Sequence, residues 1–193
     1  MHRLSTSFLL GYHGCRSDVG ERVLSGAPFQ SSNNDYDWLG PGIYFWQANP
    51  RRALQFATEK RAREGGDWQP AVIGAVIEPG LCLDLATDAG IAQLKAAHAA
   101  LKSTLDEAAV ELPQNQGGND LWLRKLDCAV ITMLHDIRKS GGLEPIDTVA
   151  GVFIEGDRIY ENAGFFEKTH IQVCVRDPRL IRGVFRVSAD ELN

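Results

Sequence analysis

Residues 39–57, LGPGIYFWQANPRRALQFA, decide the fold, because they contain a turn, a strand and the start of a helix in direct succession. Gly40-Pro41-Gly42 is a turn signal, and residues 43–46 are β-branched or aromatic, as is typical of a strand. Asn49-Pro50 then predicts the start of a helix, since Asn caps free amides and Pro at the first helical position loses no hydrogen bond. Gly65-Gly66 predicts its end after residue 64. A corner of this kind can hold an aromatic ring against a flat ligand.

A histidine stands upstream of this corner, where an apolar run gives way to a glycine-containing segment. Residues 8–11 are FLLG and residues 12–16 are YHGCR. About 30 residues separate His13 from Tyr44, which is room for a short helix and a loop before the chain returns to the same sheet. Residues 27–35 are polar and rich in turn formers, so we expect them to form a mobile loop over the site.

These two motifs together resemble a known family. His13-Gly14 followed by Gly40-x-Gly42-Ile43-Tyr44-Phe45 is similar to the opening half of the histidine–tyrosine–glutamate class of ADP-ribosyltransferases, which includes the poly(ADP-ribose) polymerases and the diphtheria-type toxins. The resemblance covers residues 8–85 and, more loosely, residues 145–187. It implies an α+β fold of split antiparallel β-sheets, with NAD as co-substrate and no metal.

The resemblance also implies roles for individual residues. His13 would hydrogen-bond a ribose hydroxyl of NAD, and Tyr44 would stack on the nicotinamide ring. The backbone of Gly14 would pair with the nicotinamide carboxamide, an approach that a Cβ would hinder. Arg16 would face the diphosphate, and Phe56 would cover the second side of the ring. The other implied contacts with NAD are Tyr12, Cys15 and Gly42.

The third catalytic residue is expected on a late strand, over residues 169–176. Matching the end of this strand to the family pattern places Gln172 where a glutamate usually stands. Glutamine keeps the hydrogen-bonding shape of glutamate but cannot act as a base at neutral pH. We therefore expect transfer of a single ADP-ribose unit rather than chain elongation. Glu161 and Glu167 are candidate carboxylates near the substrate, the alternative being that they are solvated loop charges.

The predicted function is that of an NAD-dependent mono-ADP-ribosyltransferase, which moves ADP-ribose to a macromolecular acceptor and releases nicotinamide. Two alternatives stay open: a catalytically silent member of the fold that binds a ligand or protein, and an NAD glycohydrolase that uses water as acceptor. Many small bacterial relatives are toxins or phage-defence effectors, so a toxin with a neutralising partner protein is a further hypothesis. The acceptor stays open between protein, DNA, RNA and a small molecule.

Composition limits the class of protein. A chain of 193 residues is most simply one domain, residues 1–193, and 44% hydrophobic with 23% charged residues argues against disorder. The net charge of −5 does not favour broad, salt-driven binding to nucleic acid. We expect no signal peptide at the N-terminus, Met1 to Leu4, because the apolar run at residues 8–10 is too short, and we expect no stretch that spans a membrane. Since the four cysteines lack any C-x-x-C pairing, we expect a reducing, cytoplasmic compartment and neither a zinc site nor a disulfide scaffold. The cysteines are Cys15, Cys82, Cys128 and Cys174.

Residues 88–141 predict a helical insertion within this domain. Apolar residues recur at the helical period in a first helix, and a second helix is expected from about Asn119 to the Gly141-Gly142 pair. The pair is longer than a minimal transferase core needs, so we expect it to shape target selection or bind a partner. About eight strands are predicted in all. The stripe of the first helix is Ile91, Leu94, His98, Leu101 and Leu105, and the late strands are residues 147–154, 158–160, 169–176 and 180–187.

Overall fold

The structure is a computed structural model that describes residues 7–118 and 121–193. Within these residues, seven strands form one mixed sheet and five α-helices pack on it, which confirms the predicted α+β class. None of these helices is both long enough and apolar enough to cross a bilayer. The strands are β1 (Leu9–Arg16), β2 (Ile43–Gln47), β3 (Pro70–Ile77), β4 (Cys82–Asp84), β5 (Thr148–Phe153), β6 (His170–Val175) and β7 (Ile181–Arg186). The helices are α1 (Ser17–Leu24), α2 (Pro50–Glu64), α3 (Asp88–Glu107), α4 (Lys125–Ser140) and α5 (Ala189–Leu192).

The sheet is divided between its two central strands. Its order is β4-β5-β6-β2-β1-β3-β7, with parallel pairing between β4 and β5 and antiparallel pairing elsewhere. Strand β1 pairs with β3 from Leu9 to Arg16, whereas its register with β2 covers only Gly11↔Gln47 and Tyr12↔Trp46. The two halves of the sheet are therefore joined at one end of β1 and separate beyond residue 12.

The two halves pack against each other across β1. Ile43 and Phe45 of β2 share a buried cluster with Ala75 and Ile77 of β3, although β1 lies between these strands in the sheet. Gly11 makes this possible, because a Cβ there would lie 2.6 Å from Cδ1 of Ile77 and 2.8 Å from Cβ of Phe45. The sheet is thus strongly curved around a glycine.

The other face of the sheet is covered by helices. Helix α2 packs over Tyr12 and Trp46, while α3 and α4 cover a cluster that includes Leu39 and Cys174. Helix α2 has the predicted bounds: the side chain of Asn49 accepts a hydrogen bond from the backbone amide of Arg52 at 3.0 Å, and Gly65 ends the helix at φ +72°. The sequence prediction for α2 is confirmed because its start and end depend only on neighbouring residues.

Two sequence predictions are wrong. Residues 158–160 are not a strand: Arg158 makes an isolated bridge with Phe166, and the segment turns back on itself, with Asn162 at φ +59°. The second helix of the predicted insertion does not begin at about residue 119, because α4 begins at Lys125. Asn119 itself, like residues 1–4, lies outside the described residues.

The buried face of α3 differs in part from the predicted apolar stripe. Ile91 of the stripe is 40% exposed, whereas Ala97, which is not in the stripe, is fully buried. The small methyl side chain of Ala97 allows close packing of the helix.

Candidate active site

A histidine side chain connects β1 and β2 where the backbone ladder stops. Nδ1 of His13 donates to the backbone carbonyl of Tyr44 at 2.8 Å, since a carbonyl only accepts. In the neutral ring, Nε2 is then a hydrogen-bond acceptor, and no protein partner for it occurs among residues 7–118 and 121–193. Burial lowers the pKa of His13 below its ordinary value of 6.5, so the ring is neutral near pH 7.

An unpredicted aromatic residue covers His13. The His13 ring lies edge-on to Phe29, with centroids 5.4 Å apart, and tilted against Phe45 at 5.7 Å. Phe29 comes from the loop between α1 and β2, which is tied down by a two-way backbone bridge between Ser32 and Gly42 at 2.8 and 3.0 Å. Phe29 therefore closes the gap between the half-sheets. The only feature of the sequence that could have pointed to Phe29 is that it is the one aromatic residue of the polar segment 27–35.

The phenol of Tyr44 is held by the turn that precedes β2. Its hydroxyl donates to the carbonyl of Gly40 at 2.8 Å and accepts from the amide of Leu39 at 3.0 Å. Burial raises the pKa of Tyr44 far above its ordinary value, so the hydroxyl is neutral. Gly40 has φ +78°, and a Cβ there would lie 2.6 Å from Cγ2 of Ile131 on α4. Helix α4 thus packs directly on the turn that fixes Tyr44.

Gln172 is held by a residue from the same turn. It pairs in register with Trp46 across β2 and β6, and its side-chain Oε1 accepts from Nε1 of Trp38 at 2.6 Å. The sequence did not single out Trp38. Because Trp38 adjoins Leu39, the turn bonds to both Tyr44 and Gln172, while the carbonyl of Tyr44 bonds to His13.

The three predicted catalytic side chains do not line one open cavity. Strand alternation places Tyr44 and Trp46 on one face of β2 and Phe45 on the other, and the His13 ring packs against Phe45. Gln172 lies opposite Trp46, on the Tyr44 face. The Trp46 indole, 3% exposed, fills this face and packs against Phe56, with centroids 4.8 Å apart. The ring expected to cover nicotinamide therefore packs on an indole instead.

The remaining residues predicted to bind NAD have protein partners. The hydroxyl of Tyr12 donates to Glu191 at 3.2 Å, and exposed Arg16 pairs with Asp18 at 3.0 Å. Cys15 is partly buried, and burial raises its pKa to about 11, so it is a thiol rather than a thiolate. Gly14 packs against α2, and Gly42 forms the bridge to Ser32 described above.

A polar depression lies beside the start of α2. It has a volume of about 190 Å³. One lining residue is Arg52, 5% exposed, whose Nη2 donates to both carboxylate oxygens of Glu155 at 2.6 and 2.7 Å. Lys168 pairs with Glu59 at 2.9 Å on the same side. The depression is lined by Asn49, Arg51, Arg52, Gln55, Glu167, Lys168 and Thr169.

One of the two carboxylates predicted to lie near the substrate, Glu161 and Glu167, lines this depression. Glu167 is one of its lining residues, whereas Glu161 is exposed and does not line it. A second depression lies beside residues 106–114, and neither one is lined by His13, Tyr44 or Gln172.

No group of three or more His, Cys, Asp or Glu side chains is placed to hold a metal ion in the described parts of the chain. Comparison with known proteins found no matching family model, no matching curated protein and no matching solved structure.

Proposed function

We propose that this protein is an NAD-dependent mono-ADP-ribosyltransferase, which moves one ADP-ribose unit from NAD to a macromolecular acceptor and releases nicotinamide. The observation that carries the proposal is the hydrogen-bond network around Tyr44. His13 bonds to the Tyr44 carbonyl, and the turn at residues 38–40 bonds to both Tyr44 and Gln172. The three residues that the family resemblance singles out are thus tied together, although they come from distant parts of the chain.

The division of the sheet supports the finer fold assignment within this proposal. An ADP-ribosyltransferase-like fold of split antiparallel sheets would place NAD in the opening between its halves. Here β1 and β2 separate beyond Tyr12, and His13 stands at the point of separation.

His13 and Gln172 would orient the ribose of NAD, which requires the sugar to lie at the opening between the half-sheets, where it can reach both faces of β2. The neutral His13 ring offers Nε2 as an acceptor for a ribose hydroxyl. Gln172 offers an amide that can bind the sugar but cannot take a proton. Binding requires the loop carrying Phe29 to move away from His13, since the two rings are in contact. It also requires nicotinamide to lie outside the tilted Trp46–Phe56 pair rather than between Tyr44 and Phe56.

The reaction is a substitution at C1′ of the ribose attached to nicotinamide. The bond from C1′ to the nicotinamide nitrogen breaks, and its electron pair leaves with neutral nicotinamide. A lone pair of the acceptor forms the new bond to C1′ from the opposite side, and the proton of the acceptor passes to solvent. Since Gln172 is not a base, positioning and electrostatics must supply most of the rate, and a good nucleophile is needed.

A second candidate is a binding module without transferase activity. Two observations favour it: the Trp46 indole fills the face next to Gln172, and the Gln172 oxygen is already bonded to Trp38. Such a module would bind its ligand or partner without breaking the nicotinamide bond.

One experiment separates these candidates. The purified protein is incubated with cell extract and NAD labelled in the adenylate, while nicotinamide is measured in parallel. Label on protein or nucleic acid, identified by protease or nuclease digestion, supports transfer. Nicotinamide without labelled macromolecule supports hydrolysis, and no nicotinamide supports the binding module.

Matched variants show whether the proposed residues are responsible. His13→Ala should abolish release, whereas His98→Ala on α3 should retain it. A growth test addresses the toxin hypothesis: induced wild type should slow growth, and Tyr44→Ala should not. Equal growth of the two strains would count against a toxin.

A further inference from the structure

The hydrogen bond between Trp38 and Gln172 determines which end of the Gln172 amide is available to a ligand. Nε1 of Trp38 lies 2.6 Å from Oε1 of Gln172. An indole N–H only donates, so its partner must be the amide oxygen and cannot be the amide nitrogen. The amide nitrogen, with two hydrogens, therefore points away from Trp38. Gln172 is only partly buried, and within the described ranges its Nε2 has no protein partner.

Trp38 is held in place from several sides. Gly151 of β5 is the register partner of Gln172, and a Cβ on Gly151 would lie 2.7 Å from Cη2 of Trp38. The indole thus occupies space that any other residue at 151 would fill. The indole and Phe153 make an edge-to-face contact with ring centroids 5.1 Å apart. The next residue, Leu39, is fully buried and donates its amide to the Tyr44 hydroxyl. The indole cannot turn away without disturbing this turn.

We propose that Trp38 is a positioning residue that makes Gln172 a hydrogen-bond donor to the ligand. The ligand atom that meets Gln172 is then an acceptor oxygen. In the proposed reaction, on which this assignment of the ligand rests, it is the oxygen of a ribose hydroxyl. Gln172 orients the sugar through its amide hydrogens and takes no proton.

A glutamate at position 172 would reverse this polarity. One carboxylate oxygen would accept the Trp38 hydrogen bond, and the other would face the ligand as a charged acceptor. Gln172→Glu is therefore the variant that tests donor against acceptor with the least change of shape. Trp38→Phe removes the N–H and keeps a ring against Gly151 and Phe153.

The contact itself is tested by NMR on ¹⁵N-labelled protein. The indole N–H signal of Trp38 is assigned in the wild type from its NOE contacts with neighbouring side chains, and a folded Trp38→Phe, which lacks the signal, checks the assignment. In Gln172→Glu this signal should move as the new carboxyl titrates, around its ordinary pKa of about 4.3, while the wild-type signal stays fixed over the same range. An indole signal that ignores the new carboxyl would overturn the proposal, whether or not Trp38→Phe folds.

The consequence for the ligand is tested by NAD kinetics. Losing one oriented hydrogen bond corresponds to a fall of about tenfold in kcat, which we expect for Trp38→Phe with KM for NAD little changed. Trp122→Phe, at an indole that is 48% exposed, should behave as wild type. In Gln172→Glu, kcat should change with pH as the new carboxyl group ionises, a pH dependence that the wild type lacks. If the indole N–H signal of Trp38 follows the titration of the new carboxyl but Trp38→Phe keeps the wild-type kcat, the contact is structural only and the proposal is wrong.

The two proposals fail in different ways. Wild-type protein that neither binds NAD nor releases nicotinamide refutes the transferase and the ribose ligand, while the spectra still decide whether Trp38 holds Gln172 as a donor. Active wild type with an unresponsive indole signal refutes only the role of Trp38.

Discussion

Gly14 and Ala53 are in such close contact that a Cβ on Gly14 would overlap the carbonyl oxygen of Ala53. Strand β1 and helix α2 therefore meet backbone to backbone, directly beside His13. The family resemblance implies that the same glycine lets a nicotinamide carboxamide approach. The structure supplies an independent reason for a glycine here, because helix packing alone requires it.

Gly14→Ala should lower the free energy of unfolding by about 2 kcal/mol, because the added methyl group must push α2 away from β1. Urea denaturation measures the change. Gly183→Ala is the matched control, since a Cβ on this β7 glycine meets no heavy atom within 4 Å. We expect the control to remain within about 0.5 kcal/mol of wild type. Equal stability of both variants would show that α2 does not press on Gly14.

Tyr44→Phe should destabilise the protein by about 2 kcal/mol, because it leaves the Gly40 carbonyl and the Leu39 amide without their shared partner. Tyr36→Phe is the control: it removes a hydroxyl from an exposed ring in the loop that contains the turn at residues 38–40, and it should leave stability unchanged. Thermal unfolding of both variants is the measurement. A harmless Tyr44→Phe would mean that the turn at residues 38–40 is not held by the phenol.

Arg52→Met should cost about 3 kcal/mol, because the mostly buried carboxylate of Glu155 loses its 2.6 Å ion pair and keeps only Lys168, which lies 4.0 Å away. The double variant Arg52→Met/Glu155→Gln should recover part of this loss, since no unpaired charge remains. Arg51→Met, on the exposed side of the same helical turn, serves as the control. A double variant as unstable as the single one would contradict an ion-pair origin of the effect. Denaturant titration at neutral pH distinguishes these outcomes.

Acid should destabilise the protein through His135, whose two ring nitrogens are buried without a hydrogen-bond partner in the part of the chain that the structure describes. Burial lowers its pKa from 6.5 to about 4. Between these values the unfolded chain binds more protons than the folded one, so the free energy of unfolding is highest above pH 6.5 and falls as the pH drops toward 4.

His135→Leu tests this because it removes both unpartnered nitrogens. It should raise stability at neutral pH by about 1 kcal/mol and make the acid decline shallower. Some decline should persist, since burial also lowers the pKa of His13 and His170. An unchanged pH slope in urea titrations would remove His135 as its source.

The sequence by itself determined the features that depend on neighbouring residues. The bounds of α2 followed from the Asn49 cap, the proline after it and Gly65. The β-branched and aromatic run at residues 43–46 became β2. These elements satisfy their own backbone groups locally, so composition and spacing suffice to predict them. The segment 158–160 shows the limit, since strand-like residues there are held by a turn instead.

Only the tertiary structure decided which side chains meet. Trp38 reaches Gln172 across 134 positions, and Arg52 reaches Glu155 across 103. Phe29 folds over His13 from a loop whose sequence indicated only a turn-rich segment. Each contact depends on strand register and on how two curved half-sheets pack, which are properties of the whole chain. The sequence was therefore enough to single out His13, Tyr44 and Gln172 as candidates. Only the fold showed that the turn at residues 38–40 hydrogen-bonds to both Tyr44 and Gln172.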